Sequence, residues 1–233
     1  MSIHDFYVLS PYLAMAGAAF LVILFDLAFP KKTLLPYLAF VALAGPLVMS
    51  VIQVYDLGGA TNLLDGAESF STEEPSILLG ALSVDRFALF FNFLIIGSVA
   101  LVLLASADYV RHMERFQGEY FALILLAATG MMLLAAATEL ITIYVSLELT
   151  TLPMAALTSF LMNQRSSEAG MKFLIIGGIS SALMLYGMAL VFGFTGSTEL
   201  AEISASIGKA TGDVPFGNYA LFVGIILMIA GFG

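Results

Sequence analysis

Cysteine is absent from the chain. That excludes disulfides and any zinc or iron–sulfur centre held by thiolates. Histidine occurs twice, as His4 and His112, far apart in sequence, and no metal ligand set is read from them. Lysine and arginine together number eight. They do not cluster on a polar segment, so no nucleic-acid partner is expected. Glycine-rich phosphate loops, a nucleophile elbow and low-complexity segments are all missing, and no residue is read as catalytic. The N-terminus, MSIHDFYVLSPYL, has no basic run and no small-residue cleavage site, so it reads as a retained first span. Charge of either sign is scarce, at 11% of residues against 61% hydrophobic. An ordinary soluble domain is about 25% charged and about 45–50% apolar.

What is present is a series of long apolar runs. A spanning helix needs about 20 mostly apolar residues. Six complete candidates fit, at 8–29, 34–55, 84–107, 119–137, 140–162 and 168–194. A seventh begins near Phe216 and is still apolar at Gly233, where the sequence ends. The class is an all-α polytopic membrane protein with about seven spans, the last cut short. The net charge of −9 matters less than where the charges lie. With the N-terminus outside, Lys31, Lys32, Arg111, Arg115 and Arg165 fall in inner loops. Arg86 and Lys209 fall outside, a five-to-two bias with Lys172 set aside. The outer loop 56–83 carries the apolar run ILLGALSV, read as a short strand or hairpin. Leu200, Ile203 and Ile207 recur at helical spacing and predict an amphipathic helix on the membrane surface.

The stretch LITIYVSLELTTLPMAA, residues 140–156, places Glu148 and Pro153 inside an apolar span. A central ionised side chain costs about 2.5–3.5 kcal/mol on insertion scales. Glu148 escapes that cost by staying neutral, or by pairing with a cation and water inside the bundle. Either escape makes it protonatable near working pH, as a proton relay requires. Lys172, in the next span, is the natural partner. By residue count Glu148 is about 21 Å from the inner side and Lys172 only about 6–9 Å. Contact therefore needs a reaching lysine, a bridging water or a different loop boundary. Pro153 cannot donate to the Leu149 carbonyl and predicts a local opening. Thr150 and Thr151 stand beside it as groups that satisfy or hydrate that carbonyl, so the segment reads as the wall of a polar passage.

Structural readings account for the other polar residues. Asp26 reads as an interfacial partner of Lys31 or Lys32. Glu139 and Glu168 read as helix N-terminal carboxylates. Gly177, Gly178, Ser180 and Ser181 form a small-residue face for close packing. The same structural roles stand as alternatives for Glu148, as a tie between helices, and for Lys172, as a snorkelling side chain.

SLELTTLPMAAL, followed by MKFLIIGGISSALMLYGMALVFGFTGST, resembles the fifth and sixth helices of the antiporter-like subunit N family of respiratory complex I (the NuoN or mitochondrial subunit 2 type). ILFDLAFP and SVDRFALFFNFL resemble other family segments, and the resemblance covers all 233 residues. It implies the first half of a 14-helix antiporter-like fold with inverted five-helix repeats. Residues 1–118 would hold helices 1–3 and the outer loop, and residues 119–233 part of the first repeat. Glu148 and Lys172 match the family's coupled glutamate and lysine on a central hydrophilic axis. In relatives the seventh helix continues into a lysine that carries protons, and this sequence stops before it. It is therefore expected to be a piece of a longer protein, without a complete proton path of its own.

The implied function is proton translocation in the membrane arm of an NADH:quinone oxidoreductase. The alternatives are a subunit of a multisubunit cation/proton antiporter and a non-pumping structural subunit. The chain itself is expected to hold no cofactor. NADH, FMN, iron–sulfur clusters and quinone would belong to partner subunits. Other membrane-arm subunits and the lipid bilayer are the expected partners, in a bacterial plasma (inner) membrane.

Overall fold

A computed structural model describes residues 3–28, 34–57, 76–78, 80–111, 116–210 and 219–232. His112, Lys31, Lys32, Arg115 and most of the acidic loop 56–83 lie outside the described residues, as does the side chain of His4. Helix α1 (Ile3–Ala28) starts five residues before the expected span and runs through Pro11. Proline leaves the carbonyl one turn back without its helical donor. That carbonyl, of Tyr7, accepts instead from Ser10 Oγ at 2.7 Å and Gln53 Nε2 at 3.0 Å.

The expected second span is two helices, α2 (Leu35–Ala42) and α3 (Ala44–Leu57), meeting at Leu43. Gly45-Pro46 explains the interruption, because Pro46 cannot donate to the carbonyl of Ala42. Between α3 and the next helix, β1 (Ser76–Leu78) and β2 (Leu82–Val84) form the expected hairpin, antiparallel, with Ile77 opposite Ser83. Gly80 turns it at φ 75°, a conformation that favours glycine.

Helix α4 (Arg86–Arg111) is capped by Asp85, whose Oδ1 accepts from the Ala88 amide at 2.7 Å. Helices α5 (Gln117–Ala136) and α6 (Leu140–Thr158) follow. Helix α6 stops four residues short of the expected boundary, and Met162 then turns the chain at φ 51°. Helix α7 (Gln164–Thr195) begins earlier than expected because Asn163 and Ser166 make a reciprocal capping box. Its 32 residues span about 48 Å at 1.5 Å per residue, more than the about 30 Å of a bilayer's hydrocarbon core. Helices α8 (Leu200–Ala210) and α9 (Tyr219–Phe232) complete the described chain.

Among the described residues, six segments are long and apolar enough to cross a membrane: Asp5–Ala28, Leu35–Tyr55, Arg86–Val110, Gln117–Ala136, Leu140–Thr158 and Gln164–Thr195. Their outward faces carry bare Phe, Leu and Ile side chains such as Phe90, Leu101, Ile176 and Ile179. Helix α5 is the best covered, packing against α1, α4 and α6. Phe121, Leu125 and Met132 from it meet Met15, Val22 and Leu103 in one core cluster. A second cluster joins Leu140 of α6, Met184, Met188 and Val191 of α7 and Ile203 of α8. The amphipathic helix is thus present. Ile203 and Ile207 turn onto the protein, while Leu200 is exposed.

Close packing is made by other glycines than expected. Gly177 and Gly178 have nothing near their Cβ positions. A Cβ on Gly187 would lie 2.6 Å from the Gly224 carbonyl, and one on Gly231 2.6 Å from the Ser180 carbonyl, so α7 and α9 meet there backbone to backbone.

Candidate functional site

Helix α6 lies between α5 and α7, and its polar residues sort onto different sides. Ser146, Thr150 and Pro153 recur at spacings of four and three and share the stripe facing α5. A Cβ on Gly130 of α5 would lie 2.5 Å from Thr150 Oγ1 and 2.8 Å from the Ser146 carbonyl, so this contact admits only glycine. Ser146 and Pro153 are buried in it. The chain remains helical through Pro153, so the expected opening is confined to the proton that proline lacks. Nor do the threonines serve the Leu149 carbonyl. Thr150 Oγ1 donates to the Ser146 carbonyl at 2.9 Å and Thr151 Oγ1 to the Glu148 carbonyl at 3.5 Å. Threonine hydroxyls in helices commonly fold back onto their own preceding turn in this way.

Glu148 points away from that stripe and is half-buried. Tyr144, one turn toward the N-terminus of α6, carries its hydroxyl beside the Glu148 carboxylate. The spacing of four makes them neighbours on one helix face. Sequence reading missed Tyr144, although YVSLE shows the spacing.

Lys172 is elsewhere. Its Nζ donates to Glu168 Oε1 at 2.6 Å, and both side chains are exposed, at 69% and 62%. This is a four-residue pair within α7, so Glu168 sits in the second turn and does not cap the helix. The capping is done by Asn163. The register of α6 against α7 explains why Lys172 does not reach Glu148. Ser159 and Gly170 touch near the α6–α7 turn, where a Cβ on Gly170 would lie 2.5 Å from Ser159 Cβ. Counting eleven residues from each brings Glu148 level with Ser181, nine residues beyond Lys172. The same register sets Tyr144 beside Leu185 and Met188, with which it lines a shallow apolar groove. Nine residues are about 13 Å along a helix. With about 8–10 Å between packed axes, a direct ion pair is out of reach.

Glu139 precedes α6 in the N-cap position, but its carboxylate does not cap the helix backbone. Its Oε1 accepts from Thr198 Oγ1 at 2.6 Å and its Oε2 from Thr142 Oγ1 at 3.4 Å. Backbone bonds from Leu140 to the Thr198 carbonyl and from Leu200 to the Thr138 carbonyl flank it. Thr138 Oγ1 also donates to the Gly80 carbonyl at 2.9 Å. The hairpin, the α5–α6 turn and the α7–α8 turn are therefore fastened together at one end of the bundle. Asp26 packs over the start of α5, where a Cβ on Gly118 would lie 2.5 Å from Asp26 Cβ. Its expected lysine partners lie outside the described residues.

Residues 137–233, from the start of α6 onward, match the family described as NADH:quinone oxidoreductase/Mrp antiporter, transmembrane. Over 226 residues, 96% of this chain and 43% of the relative, the sequence is 38% identical to NADH-quinone oxidoreductase subunit N of Dehalococcoides mccartyi. It is 35% identical to subunit N of Myxococcus xanthus over 100% of this chain and 42% of that one. The chain thus spans less than half the length of the curated relatives it matches. Among solved structures, the archaeal membrane-bound sulfane sulfur reductase complex holds a chain similar at TM-score 0.70 and 21% identity, over 97% of this chain and 44% of that one. Respiratory complex I from Thermus thermophilus holds another, at TM-score 0.61 and 21% identity, over 95% and 51%. These structures share the antiporter-like fold. Residues 137–233 thus carry the NADH:quinone oxidoreductase/Mrp antiporter transmembrane family pattern, and the chain as a whole is a sequence relative of part of subunit N.

Proposed function

We propose that this chain is part of a proton-translocating membrane-arm subunit of an NADH:quinone oxidoreductase. The observation that carries the reading is Glu148, half-buried within an otherwise uncharged spanning helix of a subunit N relative. Its carboxyl takes and releases a proton from water held between α6 and α7. Tyr144 supports it by offering a hydroxyl beside the carboxylate. Lys172 acts as a second charge near the inner end, exchanging Glu168 for the field of Glu148 and not forming a contact ion pair with it. Separated by about 13 Å along the axis, the two couple through water and the low-dielectric interior.

The chain performs no redox chemistry and binds no cofactor. Its lack of cysteine supports the iron–sulfur part of that reading. NADH, FMN, iron–sulfur clusters and quinone act in partner subunits. The protein sits in the bacterial plasma membrane beside other membrane-arm subunits, with the N-terminus outside. The five-to-two lysine and arginine bias supports this orientation.

The family description also covers Mrp antiporters, and a cation/proton antiporter subunit is the second reading. Inverted vesicles containing the intact complex separate the two. Acidification on adding NADH and quinone, abolished when electron transfer is blocked, supports the first. Acidification that instead follows an imposed sodium gradient, without NADH, supports the second.

A further inference from the structure

A set of polar side chains stands apart from the α6–α7 site. Tyr12 of α1, Ser50 and Gln53 of α3, and Asn92 of α4 are all at most 2% exposed. Every one lies within a segment long and apolar enough to span a membrane. Among the described residues, Tyr12 Oη, Ser50 Oγ, Gln53 Oε1 and both amide atoms of Asn92 are buried with no hydrogen-bond partner. A buried polar atom left this way in a membrane interior has lost water and gained nothing in return.

These groups lie in one layer. Gln53 Nε2 donates to the Tyr7 carbonyl at 3.0 Å and to the Val8 carbonyl at 3.3 Å, which docks that turn of α3 on α1. The same bonds fix the amide orientation, because a flip would set oxygen against two carbonyls. Oε1 is therefore held as an acceptor. One turn inward on the same face of α3 stands Ser50, and one turn inward on the antiparallel α1 stands Tyr12. Asn92 is beside Tyr12, without a proper bond between them.

We propose that this layer is a binding site for structural water, shared by Tyr12, Ser50 and Asn92 and reaching Gln53 Oε1. The chemistry of the donor set selects water. Two hydroxyls and a carboxamide offer donors and acceptors together, and the one charge felt at Tyr12, Asp85, is engaged in capping α4. A buried water needs two to four polar partners, and three helices supply them here. The water links α1, α3 and α4 where direct side-chain bonds do not.

Hydroxyl-radical labelling of the intact complex by X-ray radiolysis tests this, because water bound beside a buried side chain generates the radical in place. Tyr12 is the reporter. Phe121, 0% exposed among apolar neighbours, is the dry control. Tyr12 is expected to label on the order of tenfold faster than Phe121 if water occupies the layer. The double variant Asn92→Leu, Ser50→Ala leaves too few partners and is expected to bring Tyr12 down to the control rate. Tyr12 labelling no faster than Phe121 in the unaltered complex would overturn the proposal. So would fast labelling that the double variant leaves unchanged, since bulk access would then be its source. Should the variant not assemble, a density map of the intact complex that resolves ordered water decides. A peak within hydrogen-bond reach of two of these residues supports the site, and an empty, directly bonded layer overturns it.

Discussion

Lys172 Nζ lies 2.6 Å from Oε1 of Glu168, one turn earlier on the same helix, and not beside Glu148. The nearest charge to a lysine sets which mutations it couples to. A double-mutant cycle on proton pumping, pairing Lys172→Met with Glu168→Gln and separately with Glu148→Gln, reads this directly. The Lys172–Glu168 cycle is expected to deviate clearly from additivity. The Lys172–Glu148 cycle is expected to stay closer to additive, because water and distance mediate it. The reverse ordering would mean that the helices slide in the working complex.

Gly130 and Gly177 differ in what a side chain would meet. A Cβ at Gly130 collides with the α6 backbone, since the Thr150 amide nitrogen would be 2.7 Å away, whereas Gly177 faces open space. Overpacking of this kind costs about 1–3 kcal/mol. Gly130→Val is expected to lower the melting temperature of the complex or stop its assembly. Gly177→Ala is expected to change melting little, and thermal unfolding followed by native gel compares the two.

Thr198→Val removes the donor to Glu139 and keeps the shape. Hydrogen bonds to charged groups contribute about 1.5–3 kcal/mol, so the variant is expected to loosen the joint between the α5–α6 turn and the α7–α8 turn. Faster hydrogen exchange at Leu140 and Leu200, whose amides cross that joint, is the expected signature. Unchanged protection there would show that the backbone bonds alone hold it.

Pro153→Ala restores an amide donor to a helix that is already continuous. Pumping is expected to remain close to that of the unaltered complex. A severe loss of pumping with normal assembly would restore a functional break at this position.

Hydropathy alone made the spans legible, because a run of about 20 apolar residues is a length constraint set by the bilayer. Local chemistry was legible too, where it was read. ILLGALSV forms its hairpin and LAEISASI its helix. Asn163 and Ser166 were a readable capping pair, and Glu168 and Lys172 a readable four-residue pair. The α2–α3 interruption was written in Gly45-Pro46. What could not be read is whatever depends on register between helices. Gly187 and not Gly177 meets a neighbour, and Tyr12 comes beside Asn92, 80 positions away. No periodicity within one segment carries such pairings.

The central claim is that Glu148 carries protons, and one measurement on inverted vesicles addresses it. Glu148→Gln keeps the size of the side chain and removes its acidity, in the intact complex. NADH oxidation by quinone and the pH gradient, followed with a fluorescent dye, are recorded together. With assembly normal, the account predicts that both signals fall, or that the gradient falls further than oxidation. Both signals at the unaltered level would contradict it, and Glu148 would then be a structural charge between α6 and its neighbours.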